Sequence, residues 1–365
     1  MKHSIKLILF SLTAAFCSCT ETIDVNREYM SLENVKYIND ISTSYTLRAA
    51  EGKVLNLPVV NIQKFVIADS LFITYTGKED GLIDIFNIEG WTKRCSILRK
   101  GNARYEFVNG TNITLHTSFI HSDDTLYAYI CNPPIGKLYK ININKCLESS
   151  HVDIMEVFKE CKLPHYPFWA KMLNDTLLIT RNIDDMETSQ IRTLMNERGT
   201  VPSLVIDSLN QFKIPVKEDF NIMSSLIAIS PDSTLCVEAP LGMNYINVYN
   251  PLESTGYTLC IGEEMDKLSD ILRASRKDRR YMFADVRSYH FGFAVLVFDV
   301  DEMTFQKNKM FTPSILLFDW QGNSLGKIDS DFKFNHFDID ERNRNLYVLN
   351  EDNLPVVFHL DNVSL

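Results

Sequence analysis

The sequence lacks the common patterns that announce chemistry. It has no His-Glu-x-x-His, no phosphate-cradling Gly-x-x-x-x-Gly-Lys-Ser/Thr loop and no zinc-type spacing of Cys and His. It has no Cys-x-x-Cys, which removes the dithiol redox motif. Positive charge is scarce: 37 Lys and Arg stand against 47 Asp and Glu, a formal net charge of −10. An acidic surface repels phosphate backbones, so no nucleic-acid partner is expected. The apolar run 7–16 near the start is too short to cross a bilayer, which takes about 20 residues. What remains is ordinary globular material. Hydrophobic residues make up 45% and charged residues 23%, which excludes disordered, collagen-like and coiled-coil chains. The 22 Phe and 15 Tyr suit a β-rich core. A length of 365 residues permits one large domain or two medium ones.

The short apolar run follows Lys2 and Lys6 and ends in Phe16-Cys17-Ser18-Cys19. A basic start, an apolar core and small residues at the end make a signal peptide over 1–18. The ending resembles that of bacterial lipoprotein signals, with Ser18 as the small residue before a lipidated Cys19, although Phe16 stands where such signals usually carry Leu. The resemblance implies a chain anchored by lipid to the bacterial cell envelope, at the outer membrane, with 19–31 as a tether. Glu21 and Asp24 resemble the acidic surface-export tags of some lipoproteins. Six further cysteines (95, 131, 146, 161, 236 and 260) are expected to be mostly free thiols, because a chain this long needs no disulfide staples.

An internal repeat organises the rest. A turn followed by an apolar strand recurs about every 55 residues. The copies are Asp69-Ser70-Leu71-Phe72-Ile73, Asp124-Thr125-Leu126-Tyr127-Ala128, Asp175-Thr176-Leu177-Leu178-Ile179, Asp232-Ser233-Thr234-Leu235-Cys236, Gly292-Phe293-Ala294-Val295-Leu296 and Arg344-Asn345-Leu346-Tyr347-Val348. An apolar run precedes each turn, as in Leu226-Ile227-Ala228-Ile229. Another strand follows, as in Leu82-Ile83-Asp84-Ile85-Phe86 or Tyr245-Ile246-Asn247-Val248-Tyr249, and often a fourth, as in Tyr257-Thr258-Leu259-Cys260. Four short strands repeated six times predict an all-β fold, a six-bladed β-propeller with four-stranded blades over 32–365. A pair of β-sandwiches would not repeat, and a β-helix would repeat at a shorter period. The sixth unit reaches its third strand near Leu360. An N-terminal strand must therefore complete the last blade, drawn from 53–60 or from 34–38, since an open edge invites aggregation.

The phrases Lys64-Phe65-Val66-Ile67-Ala68-Asp69-Ser70-Leu71-Phe72-Ile73, Ile85-Phe86-Asn87 and Gly101-Asn102-Ala103-Arg104-Tyr105-Glu106-Phe107 resemble the blades of NHL-like and TolB-like six-bladed propellers. The whole is similar to TolB-like propeller lipoproteins of uncharacterised function. Of the family's glycine-rich blade ending only Gly101, Glu106 and Phe107 are kept, and the later blades lack it. The resemblance implies a fold and no particular activity.

Antiparallel alternation puts second-to-third strand loops and blade-to-blade connections on one face of the disc. Insertions over 182–200 and 299–313, and a helix over 263–280, are expected to decorate that face. The connections there offer Arg104, Tyr105, His165, Tyr166, Trp169, Arg280, Tyr281 and His336 as ligand-binding residues, since aromatics beside Arg suit a sugar, a peptide or another polar organic ligand. Catalytic readings fail on context. Gly322-Asn323-Ser324-Leu325-Gly326 matches a nucleophile elbow, but a strand follows it where a helix is required, so it is a hairpin turn. His116 and His121 have no ligand-like spacing, and Asp338-Ile339-Asp340-Glu341 lacks the glycine and terminal Glu of a calcium loop. Asp-Ser/Thr-Leu at 69, 124, 175 and 207 resembles an O-glycosylation signal, which turn chemistry explains equally. Neither a cofactor nor a metal is expected. Two functions stand: a non-catalytic envelope scaffold that binds a glycan, peptide or partner protein, or a propeller hydrolase or lyase with a metal-assisted site in the central channel.

Overall fold

The first five repeats each fold as an antiparallel meander of four strands and the sixth supplies three, and the six sheets form the blades of a propeller. The computed structural model describes residues 26–59, 61–149, 152–184, 189–215, 218–308 and 311–360. The signal segment, Cys17 and Cys19 lie outside these residues. The first strands of the six blades are Lys64–Ala68, Thr117–Ser122, Trp169–Met172, Ser225–Ile229, Arg280–Ser288 and Phe337–Asp340.

The repeated turn phrase explains the first hairpin of each blade. Tight turns between twisted strands need a residue at positive φ, which Asp tolerates better than most. Asp69 (φ 54°), Asp123 (φ 51°) and Ser233 (φ 64°) take that role in blades one, two and four. Blade five departs from the phrase because Gly292 (φ 152°) runs against the third strand; a Cβ there would sit 1.9 Å from the Phe318 carbonyl oxygen.

Middle strands are covered on both faces by neighbouring blades, so they read as continuous apolar runs. Cys236–Pro240 and Tyr245–Asn250 are buried along their whole length. An apolar cluster fills each of the six blade interfaces. Phe107, Ile130 and Cys146 belong to the first, and Phe65, Phe72 and Tyr347 join the last blade to the first.

Residues ahead of blade one run along the rim. Val35–Ile38 adds a fifth, parallel strand to the outer strand of blade four, Thr255–Ile261. Thr43–Leu47 does the same on Ser324–Ser330 of blade five. Lys53–Val54 then pairs antiparallel with Pro355–His359 and supplies the fourth strand of blade six. Of the two segments expected to close the ring, 53–60 contains the one that does so, and 34–38 serves blade four. Part of the segment expected to be a tether is already docked. Met30 is 2% exposed, its N–H donates to Tyr245 Oη at 2.9 Å, and Arg27 Nη1 donates to the Ser208 carbonyl at 3.0 Å.

Three sequence readings need correction. The third strand of blade three is Gln190–Asn196, so the insertion expected over 182–200 is largely strand. Beyond it, Leu204 begins the helix Leu204–Asn210, capped by Ser203, whose hydroxyl accepts from Ile206 N–H. Asp207 therefore lies in a helix and not in a turn. The helix expected over 263–280 is confined to Leu268–Arg273, and Arg280 already opens blade five. The insertion over 299–313 does carry a short helix, Glu302–Lys307. The six described cysteines are all unpaired thiols.

Closure depends on a small apolar anchor. Leu55 follows the closing strand, is 5% exposed, and its N–H donates to the Pro355 carbonyl at 2.8 Å. Leu55→Ala is expected to lower the unfolding free energy by about 2–5 kcal/mol, as for other buried Leu truncations. Denaturant unfolding checks this; a loss under about 0.5 kcal/mol would show that closure does not rest on the anchor.

Candidate functional site

The first strands converge on the ring axis. Where they end, a cavity of about 460 Å³ opens among the hairpin turns, and all six blades line it. Its walls are 66–69, 117–121, 171–173, 227–231, 286–290 and 338–342. The mouth is rimmed by polar pairs that cross blade boundaries. Asp69 receives His121 Nε2 at 2.7 Å and Arg342 Nη2 at 3.1 Å, and Glu341 faces His290 Nδ1 at 2.9 Å.

Charged groups from several blades meet deeper along the axis. Asp285 and Arg287 alternate on the first strand of blade five, with an ion pair of 3.2 Å. His336 enters from blade six, wholly buried, with Nδ1 2.7 Å from Asp285 Oδ2. Burial opposes the charged form of Asp285, but Arg287 and His336 outweigh it and hold the carboxyl below its usual range. Burial, with Lys64 nearby, pushes the His336 imidazole down to about 4, so it is neutral at pH 7; its Nε2 lies 2.7 Å from the Phe65 carbonyl oxygen. Asp338 accepts from Ile67 N–H at 2.8 Å and from Tyr289 Oη at 3.0 Å, and burial pushes its carboxyl upward. Lys171, from blade three, donates to the Thr117 carbonyl. Burial and the Arg287 charge bring its ammonium down to about 7.

The opposite face carries a second cavity, of about 560 Å³. Lys64, Tyr75, His116, Pro133, Pro134, Tyr166 and residues 109–112 are among those that line it. His116 Nε2 lies 3.0 Å from the Pro167 carbonyl, and burial lowers its imidazole to about 4.

The eight residues singled out from the sequence are dispersed. Tyr166, 65% exposed, lines the second cavity, and its neighbour His165 bonds the Pro134 carbonyl through Nδ1 at 3.0 Å. Arg104 is exposed over the Tyr105 ring at 4.8 Å, and Tyr105 packs edge-on against Tyr139. Trp169 is fully buried, its indole against Ser225. Arg280 is exposed and paired with Asp299; Tyr281 stacks on Phe305. His336 belongs to the axial cluster. None of the eight lines the axial cavity.

The axial groups escaped the sequence because they come from blades one, three, five and six, far apart along the chain. A signal was present all the same: Lys64, Lys171, Asp285, Arg287 and Asp338 are charges inside apolar first strands. Such charges need partners or water when buried. Ser324 of the Gly-x-Ser-x-Gly phrase begins a strand, as expected of a hairpin turn. Among the described residues no group of three or more His, Cys, Asp or Glu is arranged to hold a metal ion.

A second buried ion cluster lies away from both cavities, between blades three and four. Glu238 receives Arg192 Nε and Nη2, each at 2.7 Å, and also pairs with Arg181; all three are at most 2% exposed. Burial opposes ionisation of Glu238, yet the two guanidiniums hold it down to about 2.

The sequence matches no protein-family model and no curated protein. Solved structures do show likeness. A member of the DUF4221 family from Bacteroides vulgatus is 10% identical with a TM-score of 0.49, covering 84% of this chain and 96% of that one. Regucalcin from Agrobacterium tumefaciens, a calcium-binding protein, is 11% identical with a TM-score of 0.43, covering 86% and 95%. The WD40 β-propeller domain of Doa1 is 9% identical with a TM-score of 0.41, covering 84% and 95%.

Two outcomes follow from these charges. Glu238→Gln leaves two guanidiniums facing each other without a counter-ion, and is expected to cost about 3–5 kcal/mol in denaturant unfolding. Lys171 binds its proton less tightly when folded than when unfolded, so its burial penalty builds as pH falls from about 10.5 to about 7 and is constant below. Lys171→Met is therefore expected to gain stability over the wild type across that window. Parallel stability curves for the two proteins from pH 10 to 7 would contradict this.

Proposed function

We propose that this protein is a TolB-like cell-envelope lipoprotein, anchored through lipid on Cys19, whose propeller is a non-catalytic scaffold that captures a ligand in the axial funnel. One observation carries the reading: a cavity of about 460 Å³ to which all six blades contribute, within the size range of small-molecule sites. Its lining mixes apolar strand residues with polar and charged groups in about equal share. A glycan or a short peptide suits that mixture. The exposed Arg104, His165 and Tyr166 sit on blade-to-blade connections and the exposed Arg280 opens the first strand of blade five, where a partner protein can reach them. A metal-assisted hydrolase or lyase needs several free ligands at one point. Asp285 and Asp338 are instead bonded to Arg287, His336, Tyr289 and backbone N–H groups.

Two experiments test the reading. With the full chain expressed in a bacterium fed an alkyne fatty acid, the wild type and Cys17→Ser are expected to carry the label. Cys19→Ser is expected to lose both the label and membrane association, and a labelled Cys19→Ser protein would overturn the anchor. Detergent-solubilised full-length protein is then screened on glycan and peptide arrays, and a hit is mapped by hydrogen exchange. Protection is expected at 68–69, 118–121, 229–231, 288–290 and 340–342. Protection confined to the rim would remove the funnel from the function.

A further inference from the structure

We propose that the floor of the axial funnel is a receptor for an anionic group, a carboxylate or phosphate carried by a small polar molecule, held by Lys171 and Arg287. This rests on the reading of the funnel as the ligand site and names the class of ligand.

The charge balance at the axis points to it. Three cations, Lys64, Lys171 and Arg287, stand near two carboxylates, and both carboxylates are already occupied. Asp285 takes His336 at 2.7 Å and Arg287 at 3.2 Å. Asp338 takes Ile67 N–H at 2.8 Å, Ile339 N–H at 3.0 Å and Tyr289 Oη at 3.0 Å. Among the described residues no carboxylate lies within ion-pair distance of Lys171, whose ammonium has only the Thr117 carbonyl. A sequestered ammonium without a counter-ion is costly, and an anion bound beside it offsets that cost.

Unused donors lie on the same wall. Arg287 is 9% exposed and lines the funnel, and its polar contacts run through Nη2 to Asp285, His336 and the Phe65 carbonyl. Its Nε is buried with no partner among the described residues, as is Oγ1 of Thr117, which is 1% exposed and lines the funnel beside Lys171. An ammonium, a guanidinium and a hydroxyl make the donor set that carboxylates and phosphates take. A neutral analogue leaves these groups unpaired, which sets the selectivity. The net charge of −10 does not forbid an anion at the axis, because surface charge is screened over about 8 Å at physiological salt.

Calorimetric titration of the detergent-solubilised full chain tests this with inorganic phosphate, glucuronate and glucose as probes. At least one anion is expected to bind and glucose is not; the phosphate and glucuronate arms tell the two anion chemistries apart. Lys171→Gln is expected to weaken the anion at least about tenfold, and Lys171→Arg to keep it within about threefold. Because Arg287 also holds Asp285 and His336, the test rests on Lys171. Anion binding that is equal in wild type and Lys171→Gln overturns the proposal, and so does the absence of binding by either anion up to about 10 mM. If an array ligand still protects the funnel strands in that case, the funnel remains a binding site and only its anion preference is lost. If no ligand protects them, the binding reading itself fails.

Discussion

The ring is held shut by the chain that precedes it. Blade six has only three strands of its own sequence stretch, and Lys53–Val54 supplies the fourth. The same strap has by then paired with the rims of blades four and five. These are the parallel pairings in sheets that are otherwise antiparallel, and they are long-range: Val35 meets Thr258 and Thr43 meets Lys327. Two exposed edges are thereby covered and a third blade completed by one continuous segment. The remaining edges are blunted differently. The outer strand of blade one, Thr92–Arg99, presents Lys93 and Arg94; that of blade two, Ile154–Val157, is short; that of blade three, Gly199–Thr200, is shorter still and leads into a helix.

Closure makes the interior a place of two characters. Between blades, side chains from facing sheets interlock in apolar clusters, where burial contributes about 25 cal/mol per Å² of apolar surface. At the axis and between blades three and four, the ring traps charges instead. A buried ion cluster gives weak net stability, since desolvation nearly cancels attraction, but breaking one partner away is costly. Glu238 with its two arginines, and Asp285 with Arg287 and His336, therefore fix how neighbouring blades sit more than they strengthen the ring.

This division explains which parts of the molecule were legible in the sequence. Blade number, strand number and the hairpin turns were legible because they depend on local rules: alternation, apolar runs and the tolerance of Asp for positive φ. Blade three was misread where those rules were broken. Its third strand buries Gln190 and Arg192, so the inward positions look polar, while the apolar helix at 204–210 imitates a strand. The site was least legible. Trp169 and Tyr281 look like contacts in a loop, yet the fold uses them as packing. Lys171 and Arg287 look like misplaced surface charges until closure sets them around one cavity.

A site assembled in this way depends on the ring more than on any loop. Each blade contributes residues from its first strand and, in most blades, the turn after it, and those strands are fixed on both sides by neighbouring blades. Little ordering remains for a ligand to impose, which is the condition under which a few polar contacts yield useful affinity. The same rigidity keeps Lys171 from reaching a carboxylate of its own, since Asp285 and Asp338 are locked to other partners. The lysine at the floor of the funnel and the closed ring are thus one feature: a looser fold would have let the charge find a partner within the protein, and the closed ring keeps it apart from both carboxylates, where the proposed anion would meet it.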